Sequence, residues 1–65
     1  MRTPEDTAKY MVAYHGSDLA AEYAHGYAVG MYFEQTPEGK AYWLEVSKHI
    51  ALLPKWPKPA QRSMT

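Results

Sequence analysis

The chain has 65 residues, no cysteine, and seven basic against seven acidic side chains. Its length indicates one domain with a small core, and the missing cysteine excludes disulfides and thiolate metal sites. No apolar run approaches the roughly 20 residues of a membrane span, and the N-terminus lacks the apolar segment of a signal peptide. We therefore expect a soluble, cytoplasmic protein.

The charges are unevenly distributed along the chain. Residues 1–38 carry two basic and six acidic side chains, whereas residues 39–65 carry five basic and one acidic. The two parts thus have net charges of −4 and +4, which favours a head-to-tail contact or an acidic partner for the C-terminal part. The alternative is an uneven scatter of charges that has no function.

The first predicted helix runs from about Pro4 to His15. Thr3 is a typical N-cap residue, and proline fits the first helical position because no amide hydrogen is needed there. An apolar stripe follows at helical spacing, and Gly16 is expected to end the helix as a left-handed C-cap. The same opening, Thr-Pro-Glu, recurs at Thr36 and predicts the start of a third helix.

The second predicted helix runs from about Asp18 to Glu34 and contains Gly26 and Gly30. Each glycine inside a helix costs roughly 1 kcal/mol relative to alanine. The two glycines lie four residues apart beside the apolar face, so we expect another helix to cross closely there. The alternative is that they only weaken the helix. The predicted apolar face consists of Leu19, Ala20, Tyr23, Ala24, Tyr27 and Met31.

The C-terminal part of this helix, from Tyr27 to Phe33, is apolar on all sides. Val29, Tyr32 and Phe33 fall on the side that is otherwise polar, and three short helices leave little chain to cover them. We therefore predict that these residues bind a partner, most simply a second copy of the chain in a homodimer. Coverage by the C-terminal tail is the alternative.

The third predicted helix runs from about Pro37 to Leu53 and has an apolar stripe at helical spacing. Together the three helices predict an all-α fold, a small three-helix bundle formed by residues 1–53. Residues 54–65 form a predicted C-terminal arm, in which closely spaced prolines favour an extended, polyproline-like path.

The arm contains Lys55, Trp56 and Lys58, which place positive charge around one aromatic ring. We favour packing of Trp56 on the aromatic face of the second helix; alternatively, the three residues bind a protein partner. A basic, aromatic segment also stacks on bases and contacts phosphates, so nucleic-acid binding through the arm is the alternative function. The second helix has no lysine or arginine, which argues against a DNA-reading helix.

The sequence shows no pattern typical of catalysis or metal binding. His15, His25 and His49 lack metal-ligand spacing, and the serines lack a nucleophile motif. Phosphate-binding and dinucleotide-binding motifs are missing as well. We predict no enzymatic activity, no cofactor and no metal site.

The segment HGSDLAAEYA, followed by the spacing of Trp43, Val46, Ile50 and Leu53, resembles short uncharacterised bacterial helical proteins that carry a domain of unknown function. The resemblance spans about Pro4 to Leu53 and implies only a helical fold. The short chain and its surplus of aromatic residues favour a non-enzymatic protein-binding module, a regulator or inhibitor that covers a partner's surface. A phage or mobile-element protein acting on a host defence complex would be one example.

Overall fold

The computed structural model describes residues 2–57, which form three α-helices. Helix α1 spans Pro4–His15, α2 spans Ser17–Val29 and α3 spans Pro37–Leu52. Each helix packs against the other two, and no strand occurs within residues 2–57. The predicted all-α, three-helix bundle is confirmed.

The repeated Thr-Pro-Glu sequence explains where α1 and α3 begin. Thr3 Oγ1 accepts a hydrogen bond from the Asp6 amide at 3.1 Å, and Thr36 Oγ1 accepts one from the Gly39 amide at 3.0 Å. Each bond satisfies an amide that has no partner within its helix. Both predicted N-caps are confirmed.

A single residue, Gly16, separates α1 from α2. Its backbone angles, φ 87° and ψ 161°, lie in a region that is essentially restricted to glycine. Gly16 does end α1, as predicted, but ψ is extended and the residue is not in the left-handed helical conformation. The chain therefore passes from one helix into the next without a loop.

Helix α2 ends at Val29, five residues earlier than predicted. Gly30 adopts left-handed angles, φ 76° and ψ 24°. Its amide donates to the Tyr27 carbonyl at 3.3 Å, and the Met31 amide donates to the Gly26 carbonyl at 2.8 Å. These two bonds form a Schellman motif, a common helix ending that favours glycine. The prediction that Gly30 lies inside a helix at a helix crossing is therefore wrong.

Small side chains dominate the core. Val46 is the largest fully buried side chain, and it shares one cluster with the fully buried Ala8, Ala20 and Ala24. Since Ala20 and Ala24 are one turn apart in α2, these alanines allow the close helix approach that was expected at Gly26 and Gly30. The larger side chains that pack on the edges of this core are Tyr23, Tyr42, Trp43 and Leu53.

Residues 54–57 of the arm are attached to the start of α2. The Trp56 amide donates to Ser17 Oγ at 2.7 Å, and the Trp56 carbonyl accepts from the Ser17 amide at 2.8 Å. Lys55 adds an ion pair with Asp18 at 3.5 Å, which contributes little because both side chains are exposed to water. Lys58 lies outside the described residues.

Trp56 is about half exposed and lines a shallow apolar groove with Lys9, Val12 and Leu53. It therefore lies beside α1 and the first turn of α2. The prediction that Trp56 packs on the aromatic face of α2 is wrong, because its two backbone hydrogen bonds to Ser17 hold the arm at the α1–α2 corner.

Replacing Gly30 with alanine or leucine should lower the melting temperature by similar amounts. Either side chain adds a cost of roughly 1–2 kcal/mol to the left-handed backbone. An added Cβ meets only the Phe33 carbonyl oxygen, at 3.5 Å, so the main cost common to both variants is the strain of the left-handed backbone. Asparagine tolerates this conformation better and should lose less. Thermal unfolding followed by circular dichroism measures the melting temperatures of the three variants. A much lower melting temperature for leucine than for alanine would contradict this explanation.

Removing the Ser17 hydroxyl should destabilise the attachment of the arm. In Ser17→Ala the Trp56 amide loses its acceptor, and such a lost hydrogen bond costs about 1 kcal/mol. Ser47→Ala is the matched control, because Ser47 Oγ is buried and finds no hydrogen-bond partner within residues 2–57. S17A should melt below the parent and S47A at or above it. An unchanged melting temperature for S17A would show that the bond is not formed in solution.

Candidate functional site

Four large apolar side chains are exposed at the turn between α2 and α3, and we call them the turn patch. Val29 is 55% exposed, Met31 67%, Tyr32 46% and Phe33 57%. Neighbouring exposed apolar side chains of this size often mark an interaction surface. The patch includes the three predicted partner-binding residues of this segment. It also includes Met31, which the longer predicted helix had placed on the core face.

Gly26 provides the space in which the Tyr32 ring lies. A Cβ atom at Gly26 would be 2.5 Å from Tyr32 Cε2 and 2.9 Å from Tyr32 Cζ, which is too close for two carbon atoms. The glycine therefore permits the Tyr32 side chain to approach the backbone of α2 closely. At Gly26 the group that approaches most closely is this side chain and not the neighbouring helix that was expected, because the early turn at Gly30 folds the next residues back against α2.

Ring contacts connect the turn patch to α2. The ring centres of Tyr32 and Tyr27 are 5.1 Å apart, and those of Tyr32 and Tyr23 are 6.2 Å apart. Phe33 contacts Tyr27 at 5.6 Å. All three pairs are tilted or edge-to-face, which aromatic rings prefer over direct face-to-face stacking. These contacts hold Tyr32 and Phe33 in place and leave about half of each side chain exposed.

The predicted partner-binding residues fall into two groups at opposite ends of α2. The turn patch lies at the C-terminal end of this 13-residue helix, whereas Lys55 and Trp56 lie beside Ser17 at its N-terminal end. A helix of this length spans roughly 20 Å. Residues 54–57 of the arm therefore do not cover the turn patch.

A second feature, which we call the aromatic cleft, opens between α1 and α2. Its volume is about 340 Å³, at the small end of the range for ligand sites. Rings from all three helices contribute to its walls, together with Arg2 of the N-terminal segment. Its main lining residues are Arg2, Tyr10, His15, Tyr23, Tyr27 and Trp43.

The walls of the aromatic cleft are pairs of rings from different helices. His15 of α1 meets Tyr23 of α2 edge-on, with ring centres 5.0 Å apart. Tyr27 of α2 stacks on Trp43 of α3 at 4.6 Å, with an angle of 28° between the planes. Because each pair joins two helices, the shape of the cleft depends on the packing of the whole bundle.

The N-terminal segment contributes the charged group of the cleft. The Arg2 guanidinium carbon lies 4.5 Å from the centre of the Tyr10 ring, within the range of a cation–π interaction. The Tyr42 hydroxyl donates to the Arg2 carbonyl at 3.2 Å and shares a further hydrogen bond with the Thr7 hydroxyl. Arg2 is thus held by its backbone at α3 and by its side chain at α1.

Sequence reasoning did not find the aromatic cleft. It assigned the surplus rings to the core or to a partner contact. One available signal was Tyr10, an aromatic residue that falls outside the apolar stripe of α1. A second was the pair Tyr23 and Tyr27, one turn apart on α2. Neither signal shows that the rings meet, since that depends on how the helices are packed.

No protein-family model, curated protein or solved structure matches this chain. The resemblance to short bacterial helical proteins therefore stays an expectation.

Within residues 2–57, no three His, Asp or Glu side chains are grouped so that they could hold a metal ion. None of the helices described here is both long enough and apolar enough to cross a membrane.

Replacing Gly26 with alanine should displace the Tyr32 ring and leave the fold intact. Alanine is about 1 kcal/mol more favourable than glycine in a helix, which offsets the lost ring contact. The clash involves the far end of a side chain that can rotate away. We expect a melting temperature near that of the parent and weaker nuclear Overhauser contacts from Tyr32 to Tyr23 and Tyr27.

The same substitution in a Tyr32→Ala background is the control. With the ring removed, Gly26→Ala should raise stability by the full amount of about 1 kcal/mol. The difference between the two backgrounds measures the coupling of the two residues. An equal gain in both backgrounds would show that Tyr32 does not pack on Gly26.

Proposed function

We propose that this chain is a small, non-enzymatic protein-binding module, a regulator or inhibitor that covers a partner's surface. The observation that carries the proposal is the turn patch, whose four large apolar side chains are 46% to 67% exposed. Protein interfaces are enriched in aromatic residues and methionine. The composition of the patch, with one tyrosine, one phenylalanine and one methionine, supports a protein contact.

The ordered state of the turn patch also supports this function. The Schellman motif constrains the backbone at Gly30, the Tyr32 ring lies on Gly26, and Phe33 packs on Tyr27. A surface that is ordered before binding loses less conformational entropy when the partner arrives. A patch of only four residues can therefore contribute usefully to affinity.

A second copy of the chain is the simplest partner for this patch. In a twofold contact the same surface of each copy meets its equivalent, so one apolar patch is enough to form the interface. The proposal of a homodimer rests on this requirement for only one patch per chain and on the exposure of Val29, Met31 and Phe33.

Nucleic-acid binding through the arm is the second candidate function. The side chain of Lys55 is 87% exposed, and the neighbouring Trp56 is 48% exposed. A cation next to an exposed indole supports stacking on a base with a phosphate contact alongside. Against this candidate, the Asp18 carboxylate lies 3.5 Å from the Lys55 ammonium and would repel a phosphate.

We expect Val29→Ser and Phe33→Ser to shift the chain from dimer to monomer in sedimentation at micromolar concentration. Loss of a central apolar side chain should weaken the dimer about tenfold or more. Leu52→Ser is the matched control, because Leu52 is 80% exposed at the end of α3 and lies outside the turn patch. A dimer unaffected by both patch variants would contradict the assignment of the patch.

A chain that is monomeric at every concentration would overturn the homodimer. Capture of protein from a nuclease-treated lysate by the parent, with loss of capture by Phe33→Ser, would then support a different partner at the same patch. If the parent instead captures nucleic acid from a lysate without nuclease, and this capture is lost at moderate salt and depends on Lys55, the second candidate is correct.

A further inference from the structure

The aromatic cleft contains a charged group, the guanidinium of Arg2, which plays no part in the turn patch. Arg2 lies over the Tyr10 ring, with its guanidinium carbon 4.5 Å from the ring centre. We propose that the cleft binds an arginine side chain presented by a partner chain, and that Arg2 occupies this position in the free protein. This inference does not depend on the function proposed for the turn patch.

Arginine suits the cleft better than other side chains do. The electron-rich face of an aromatic ring attracts a cation, and a planar guanidinium can also stack on the ring. A lysine ammonium is compact and more strongly hydrated, so it gains less from the same rings. The Arg2–Tyr10 contact shows that this wall of the cleft accommodates a guanidinium.

The charges of the surrounding chain favour a cationic ligand. Residues 1–38, which supply all the main lining residues except Trp43, carry six acidic and two basic side chains. Arg2 is one of those two basic side chains, and the other, Lys9, is paired with Glu5 at 3.1 Å. None of the acidic side chains lines the cleft itself, so the net negative charge of residues 1–38 favours the approach of a cationic partner and does not contact its arginine.

The Arg2 side chain can leave without unfolding of the N-terminal segment. Arg2 precedes the first residue of α1 and is exposed. Its carbonyl is bound by the Tyr42 hydroxyl, so the backbone stays attached while the side chain rotates away. Cation–π contacts at exposed positions are weak, so a partner's arginine can compete with this one.

Tryptophan fluorescence and NMR can measure this binding directly. The chain has two tryptophans, so Trp56→Phe leaves Trp43, in the cleft wall, as the only one. The probe is acetyl-Gly-Arg-Gly-amide, compared with versions that carry citrulline, lysine or glutamate in place of arginine. Citrulline keeps the shape of arginine without its charge. We expect the arginine peptide to shift the Trp43 indole signal, the lysine peptide to bind more weakly, and the other two not to bind.

Two substitutions test the roles of Arg2 and Tyr10. Arg2→Ala removes the internal competitor and should tighten binding of the arginine peptide by roughly two- to fivefold, the range expected for one exposed cation–π contact. Tyr10→Leu should weaken binding of the arginine peptide by a similar factor or more. Tyr14→Leu is the matched control, because Tyr14 lies one turn further along α1, stacks on Tyr10 at 5.4 Å and does not line the cleft.

Several results would overturn the inference. These are equal binding of the citrulline peptide, preference for the glutamate peptide, or weaker arginine binding in Arg2→Ala. Unaltered binding in Tyr10→Leu with an intact circular dichroism spectrum would do the same. Val29→Ser should disrupt the turn patch and leave peptide binding unchanged, because Val29 is exposed and does not line the cleft. Failure at the cleft and failure at the turn patch are therefore distinguishable.

Discussion

The helix ending at Gly30 is the constraint on which the exposed surfaces of this protein depend. The two hydrogen bonds of the Schellman motif stop α2 at Val29 and turn the chain back on itself. Without this turn, Met31 would continue the core-facing stripe of a longer helix. With it, the segment after Gly30 forms a surface of large apolar side chains, and the Tyr32 ring lies in the space left by Gly26.

The small size of the core side chains explains the aromatic surface. Alanines at the helix contacts bring the backbones close together, and Val46 is the largest side chain that is fully buried. The large rings Tyr23, Tyr42 and Trp43 pack at the edges of this core. The aromatic cleft and the ring contacts of the turn patch both result from this arrangement, in which rings contact each other while part of each remains in water.

Tyr27 connects the two surfaces. Its ring stacks on Trp43 in the wall of the cleft and contacts Phe33 and Tyr32 in the turn patch. The two surfaces are therefore neighbours that share one packed side chain. The arm is attached elsewhere, at Ser17, roughly the length of α2 away from the patch. The aromatic cleft and the turn patch are thus in direct contact, and the exposed Trp56 of the arm is separate from both.

Local sequence signals were enough to predict the three helices and the N-terminal caps of α1 and α3. Thr3 and Thr36 act on amides three residues away, and Gly16 interrupts the helix at its own position, so no distant contact is needed. The early end of α2 was missed although its signal is local, because apolar residues continue past Gly30 and suggested an unbroken helix. Only the tertiary structure decided three features: the packing of Tyr32 on Gly26, the attachment of Trp56 to Ser17, and the aromatic cleft. Each requires residues that the chain brings together by turning, and the helical period of a sequence contains no information on which turns it takes.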